Sequence, residues 1–228
     1  MITMKDRHVV VTGGKGALGS AVVDQLLQLG AICHVPSYRP VVEKDPRPGV
    51  VETGPVDLTK EEDAERFYQA LPELWASIHI AGGFAMNPLT ETTLTEFQRM
   101  FALNVTTAFL ACREATKVIR KTGQGGRMVN VVSHRVLVPQ GGMVSYISSK
   151  AAVAALTTSV AEELAAENIL VNAVAPSVID TPANRSSMPN ADYSRWPSVE
   201  DIAKTIVFLA SPQNTVTRGG LLPTCGKL

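Results

Sequence analysis

Short apolar runs of strand length alternate with amphipathic stretches from one end of the chain to the other. That order builds a parallel sheet covered by helices on both faces, so the expected class is α/β. Seven strands are predicted, beginning near His8, Ala31, Val50, Ala76, Arg127, Ile169 and Gly219. Most are rich in Val and Ile, as strands buried on both faces should be. Between them, Leu18, Val22, Leu26 and Leu29 share one helical face, and Phe97, Phe101, Val105 and Leu110 begin another. Thr59 with Glu62 and Thr93 with Glu96 have capping-box spacing and mark two helix starts. Pro36, Pro40, Pro46, Pro48 and Pro55 make the connection between the second and third strands too proline-rich for a helix. An extended loop is expected there. Residues 176–198 follow a strand and contain Pro182, Pro189 and Pro197, the pattern of a mobile segment over a site.

The chain has 228 residues, within the range of one domain with its own core. Hydrophobic residues make up 45% and charged residues 18%, a globular composition. Lys+Arg and Asp+Glu both count 21, leaving no global field to recruit nucleic acid or an anionic membrane. Cys33, Cys112 and Cys225 are odd in number and far apart, which argues against a disulfide framework or a thiolate metal site. His8, His34 and His79 form no metal-ligand spacing either. The first strand starts too soon for a signal peptide, and no run approaches the ~20 apolar residues that cross a bilayer. The expected setting is a reducing cytoplasm.

Candidate chemistry begins where His8-Val-Val-Val-Thr12 runs into Gly13-Gly-Lys-Gly-Ala-Leu-Gly19 and then a helix. Glycines let the backbone bend tightly and approach a pyrophosphate, whose charge is favoured by the free N–H groups of a helix start. Further on, Tyr146-Ile-Ser-Ser-Lys150 places an ammonium one helical turn from a phenol. A nearby cation favours phenolate and lowers the phenol pKa, which suits a proton donor or acceptor. Ser133 ends the fifth strand, at the edge where a parallel sheet receives its ligand. His134 and Met143 flank that point as possible walls.

These residues, in this order, resemble the short-chain dehydrogenase/reductase family over essentially the whole chain. Thr12-Gly-Gly-Lys-Gly-Ala-Leu-Gly19 is similar to its Thr-Gly-x-x-x-Gly-x-Gly turn, with Ala17 at the middle glycine and a glycine at position 16. The resemblance implies one Rossmann-like doubly wound domain over residues 1–228, with a seven-stranded parallel sheet flanked by helices. It implies Tyr146 as acid/base, Ser133 as substrate orienter and Lys150 as pKa depressor and ribose ligand. Asn104, mid-helix in Leu-Asn-Val, would hold a water of the proton relay. Cofactor contacts are implied for Gly13, Lys15, Gly16, Ala17, Leu18 and Gly19, for Asp57 and Leu58 after the third strand, and for Ala81, Gly82 and Gly83 after the fourth. His79-Ile80 stand where the family has two asparagines, which predicts weaker support of the central sheet. Pro176, Val178 and Thr181 match the run that holds the nicotinamide carboxamide.

The end of the second strand, Val35-Pro-Ser-Tyr-Arg39, lacks the acid that favours NAD, while Ser37, Arg39 and Lys15 offer groups for a 2'-phosphate. NADP is therefore expected, with NAD as the alternative. Gly13-Gly-Lys-Gly-Ala-Leu-Gly-Ser20 and Asp180-Thr-Pro-Ala-Asn-Arg-Ser-Ser-Met-Pro-Asn-Ala-Asp192, with Trp196, resemble dihydropteridine reductases locally. The expected activity is hydride transfer between NADPH and a small carbonyl, quinonoid or imine substrate. The alternative from another class is a low-turnover dinucleotide-binding sensor. The family also implies a homo-oligomer, dimer or tetramer.

Overall fold

The computed structural model describes residues 3–43 and 45–227; Met1, Ile2, Lys44 and Leu228, part of the expected domain, lie outside the described residues. The strands are β1 (His8–Thr12), β2 (Ile32–Pro36), β3 (Val50–Thr53), β4 (Ala76–His79), β5 (Gly126–Val131), β6 (Ile169–Pro176) and β7 (Leu221–Thr224). They form one seven-stranded sheet in the order β3-β2-β1-β4-β5-β6-β7, and every pairing is parallel. Each begins within two residues of its predicted start.

Alternation along β1 shows why the sheet carries helices on both sides. Val9 and Val11 join a core with α1 (Ala17–Gln28) and α7 (Val199–Ala210), whereas Val10 faces α2 (Glu61–Gln69) and α4 (Thr107–Arg120). A third cluster packs α5 (Val144–Glu163) against β6 through Val153, Ala154, Ala173 and Ala175. Among the described residues, no helix is long and apolar enough to cross a membrane.

The described residues of the connection from β2 to β3 hold no helix, in line with its prolines. Arg47 pins it, donating to Asp45 and to Oδ1 of Asp24 at 2.8 Å. The Thr59–Glu62 capping box does not form: Lys60 is the N-cap of α2, and Thr59 donates its hydroxyl to Asp57 Oδ1 at 2.7 Å. An Asx-type turn has won over the cap. Thr93 does cap α3 (Leu94–Phe101), accepting from the Glu96 N–H. The Glu96 carboxylate, however, accepts from Asn87 and Ser145 instead of closing the box. Phe97 and Phe101 stack at 4.9 Å, and a π-helical turn over residues 102–106 joins α3 to α4. Residues 176–198 are not all loop, since α6 (Pro182–Ser187) lies among them, capped by Thr181.

The weakened central sheet expected from His79 is corrected. His79 Nδ1 donates to Asn130 Oδ1 at 2.7 Å, and its Nε2 accepts from the Ser77 hydroxyl at 2.8 Å. Tyr68 donates to Ser77, and Asn130 donates to Thr157 Oγ1 at 2.9 Å. The chain of donors runs in one direction only if the imidazole is neutral, because Nε2 must accept. Burial enforces that state and pushes the His79 pKa down to about 4.

A histidine whose folded pKa lies below its unfolded value binds a proton more readily in the unfolded chain. Its contribution is whole above about pH 6.5 and is lost as pH falls toward 4. We expect urea denaturation at pH 4.5 to give a stability about 2–3 kcal/mol lower than at pH 7 from this group. In a His79→Asn variant that part of the slope should vanish; an unchanged slope would remove His79 from the account.

Candidate active site

The strand order reverses between β1 and β4, so the connections leaving their carboxyl ends diverge and open a crevice. Gly13 turns there with φ of +69°, and a Cβ on it would lie 2.8 Å from the Ala81 nitrogen. Gly19 is tighter still, since a Cβ there would stand 2.1 Å from the Gly13 oxygen. Thr12 Oγ1 accepts from the N–H groups of Ile80 and Ala81, locking the two diverging connections together.

The start of α1 is correspondingly bare. Gly16 is its N-cap without a side-chain hydrogen bond, and no acid lies in the first turn. Lys15, Gly16 and Ala17 are exposed, whereas Leu18 is buried in the core and offers only its backbone. A Cβ on Gly16 would approach nothing closer than the Gly13 oxygen at 3.4 Å, and the Ala17 methyl likewise has room. Free N–H groups, a positive helix end and no competing carboxylate form a cradle for a diphosphate. The glycine pattern fits the dinucleotide that the sequence implies.

The second cluster gathers Asn104, Ser133, Tyr146 and Lys150. Asn104 sits in the π turn, 2% exposed. Its Oδ1 accepts from the Gly83 N–H at 2.9 Å, and its Nδ2 donates to the Gly83 carbonyl and to Ser149 Oγ. Both amide hydrogens are thus committed to protein, so this side chain clamps the β4–α3 connection to α5 instead of presenting an amide to water. Gly82 must be glycine for the clamp to close, because a Cβ would stand 2.4 Å from Asn104 Oδ1.

Tyr146 and Lys150 lie one turn apart in α5. Lys150 is buried and donates to the Val131 carbonyl at 2.8 Å. Burial pushes its pKa down to about 8, which leaves it mainly charged near neutrality. Tyr146 departs from the expected lowering. Burial raises its pKa, and the Ser133 hydroxyl beside the phenol offsets this only in part. Phe84 packs edge-on against the Tyr146 ring at 5.0 Å while remaining 60% exposed. Met86, also exposed, lies beside Gly142. Met143 precedes α5 and bridges to Asn87, and His134 opens the turn after Ser133.

A cavity of about 560 Å³ extends from the glycine turn past the end of β2, lined in part by Lys15, Ser37, Arg39, Asp45 and Glu52. It unites the predicted Ser37 and Arg39, but Lys15 is not a free cation: its ammonium donates to Glu52 Oε1 at 2.6 Å. Glu52 was not foreseen. It is one acid in an edge strand, and only the register pairing it with Val35 brings it beside the end of β2.

The remaining predicted contacts divide. Asp57 Oδ1 is used by the N–H and hydroxyl of Thr59, and the Leu58 side chain is core. Ala81, Gly82 and Gly83 line the β4 exit, held by Thr12 and Asn104. Pro176 ends β6, Val178 is half-buried just beyond it, and the Thr181 hydroxyl accepts from Asn184 N–H as the cap of α6. Among the described residues no three His, Cys, Asp or Glu side chains converge as metal ligands.

A family model described as short chain dehydrogenase matches residues 7–192. The uncharacterized oxidoreductase YohF of Escherichia coli (strain K12) is 31% identical over 163 residues, covering 68% of this chain and 64% of that protein. The matched part is thus just under two thirds of that relative's length. A solved short-chain type dehydrogenase/reductase from Mycobacterium ulcerans superposes with a TM-score of 0.91 at 25% identity, over 99% of this chain and 90% of that one. ElxO with NADP bound gives 0.87 at 25% identity, over 97% and 98% of the two chains.

Gly16, within the turn, and Gly19, at its end, separate permissiveness from packing. Gly19→Ala should destabilise the protein by at least about 2 kcal/mol, because strand and helix backbones must part. Gly16→Ala, whose Cβ meets only an ordinary contact with the Gly13 oxygen at 3.4 Å, should cost about 1 kcal/mol or less. Denaturant titration of both variants checks this; equal effects would contradict the close-approach reading.

Proposed function

The chain belongs to the short-chain dehydrogenase family, and from that premise we propose that it is an oxidoreductase acting on a small uncharged carbonyl compound with NADPH. The observation that carries the proposal is the convergence of Tyr146, Ser133 and Lys150 beside the glycine turn's crevice. The dinucleotide, when bound, supplies the hydride in reduction and accepts it in oxidation. Its diphosphate is assigned to the start of α1, its adenosine to the cavity lined by Ser37 and Arg39 with Asp57 outside that lining as the expected further contact, and its nicotinamide end to the neighbourhood of Lys150, Val178 and Thr181.

The protein's own groups then handle the proton. The Ser133 hydroxyl holds the substrate oxygen beside the Tyr146 phenol. That phenol, its pKa raised by burial, carries its proton at neutral pH and donates it as the carbonyl becomes an alcohol. The Lys150 ammonium favours the phenolate left behind and so offsets part of the burial cost. Asn104 is a positioning residue that fixes Gly83 and Ser149 around the catalytic turn.

Phe84 and Met86 support an uncharged substrate, since they place apolar surface at the mouth of the site. No Asp, Glu, Lys or Arg occurs in 80–90, which includes Phe84 against the Tyr146 ring, or in 136–149, which contains Tyr146. A quinonoid pterin belongs in the substrate panel because of the resemblance over residues 180–192. NADPH is preferred over NADH in this reading, supported by the absence of an acid at the end of β2 and by Arg39 in the cavity. We also propose a homo-oligomer joined through α4 and α5. Exposed Phe109 there borders a groove of about 220 Å³ with Leu156 and Val160, and sedimentation should give a dimer or tetramer; a monomer at 24.3 kDa would refute it.

Tyr146→Phe provides the test of mechanism. Carbonyl reduction by NADPH should fall by about 10²–10⁴-fold while the Kd for NADPH stays within about threefold. A variant that retains turnover would exclude the phenol as proton donor. Wild-type protein that binds NADPH but reduces nothing across carbonyls and quinonoid pterins would favour the sensor reading.

A further inference from the structure

Glu52 is the acid in the adenosine cavity that the proposed function does not use. It lies on β3 opposite Val35, and its side chain is 3% exposed while that of Lys15 is 59% exposed. A carboxylate taken out of water needs a partner, and Lys15 supplies it at 2.6 Å. Strand and burial fix Glu52, so the long, exposed lysine is the member of the pair that is drawn in. Among the described lining residues, Lys15 and Arg39 stand against Glu43, Asp45 and Glu52. Asp45 is already held by Arg47, at its backbone N–H and guanidinium. The cation nearest the glycine turn is therefore neutralised before any ligand arrives.

We propose that Glu52 determines cofactor specificity by engaging Lys15, restraining the preference for a 2'-phosphorylated dinucleotide that Lys15 and Arg39 would otherwise confer. This rests on the reading of the cavity as the adenosine site. A 2'-phosphate entering here meets Arg39 together with a lysine whose charge is shared with a buried acid. A 2'-hydroxyl meets the same groups without repulsion. Glu52 thus narrows the difference between the two cofactors, and removing its charge widens it.

The experiment is a double-mutant cycle on the full chain: wild type, Glu52→Gln, Lys15→Gln and the double variant, titrated calorimetrically with NADPH and NADH. Adenosine bisphosphate carrying a 2'-phosphate, and AMP, confine the same comparison to the adenosine end. Glu52→Gln should tighten NADPH and the 2'-phosphorylated nucleotide at least about tenfold, with NADH and AMP changed by no more than about twofold. In the double variant the gain should disappear. Lys15→Gln alone leaves Glu52 unpaired and should weaken NADPH more than NADH; because Lys15 is exposed, this arm holds even if Glu52→Gln folds poorly. Equal changes for both dinucleotides, a weaker NADPH complex in Glu52→Gln, or a gain that survives loss of Lys15 would overturn the inference alone. Wild-type protein that binds neither dinucleotide would overturn the cavity reading with it.

Discussion

The whole site depends on how closely three backbone segments approach one another at the reversal of strand order. Gly13 presses on Ala81, and Gly19 brings α1 down onto Gly13, at separations no side chain would permit. Thr12 ties the same strands by accepting from two N–H groups. Because α1 starts this close to the sheet edge with no side-chain cap, its N–H groups are directed into the crevice and not spent on the protein itself. A methyl group at Gly19 would move the helix, and with it the wall of the cavity that Lys15, Ser37 and Arg39 line.

The Tyr146–Lys150 turn is fastened to that frame from the other side. Asn104 joins Gly83 to Ser149, so the exit of β4 and the Tyr146–Lys150 turn of α5 move as one body. The π turn that contains Asn104 is costly as regular helix, and such turns concentrate at functional sites. Glu96 adds a second tie, holding Asn87 and Ser145 together. Burial then sets the electrostatics: it keeps the phenol protonated and makes the lysine easier to discharge.

Much of this was legible because it rests on local pattern. The strands are apolar runs bounded by breakers, so their starts fell within two residues, and proline alone removed a helix from the β2–β3 connection. The Gly13–Gly19 turn and the Tyr146–Lys150 spacing are equally local. What escaped depends on partners distant in sequence. Thr59 is the local exception: its hydroxyl donates to Asp57, two residues away, instead of accepting from the Glu62 N–H as a cap. His79 looked like a lost asparagine until Asn130 and Ser77 were brought beside it. The Tyr146–Lys150 spacing implied a lowered phenol pKa, yet burial raises it. Lys15 was read as free because Glu52 lies 37 residues away, on another strand.

A crystal structure of the protein with NADPH tests the central claim most directly. The account places the diphosphate on the N–H groups at the start of α1 and the nicotinamide ring beside Tyr146 and Lys150. A diphosphate bound elsewhere, or a ring out of reach of the Tyr146 hydroxyl, would contradict it.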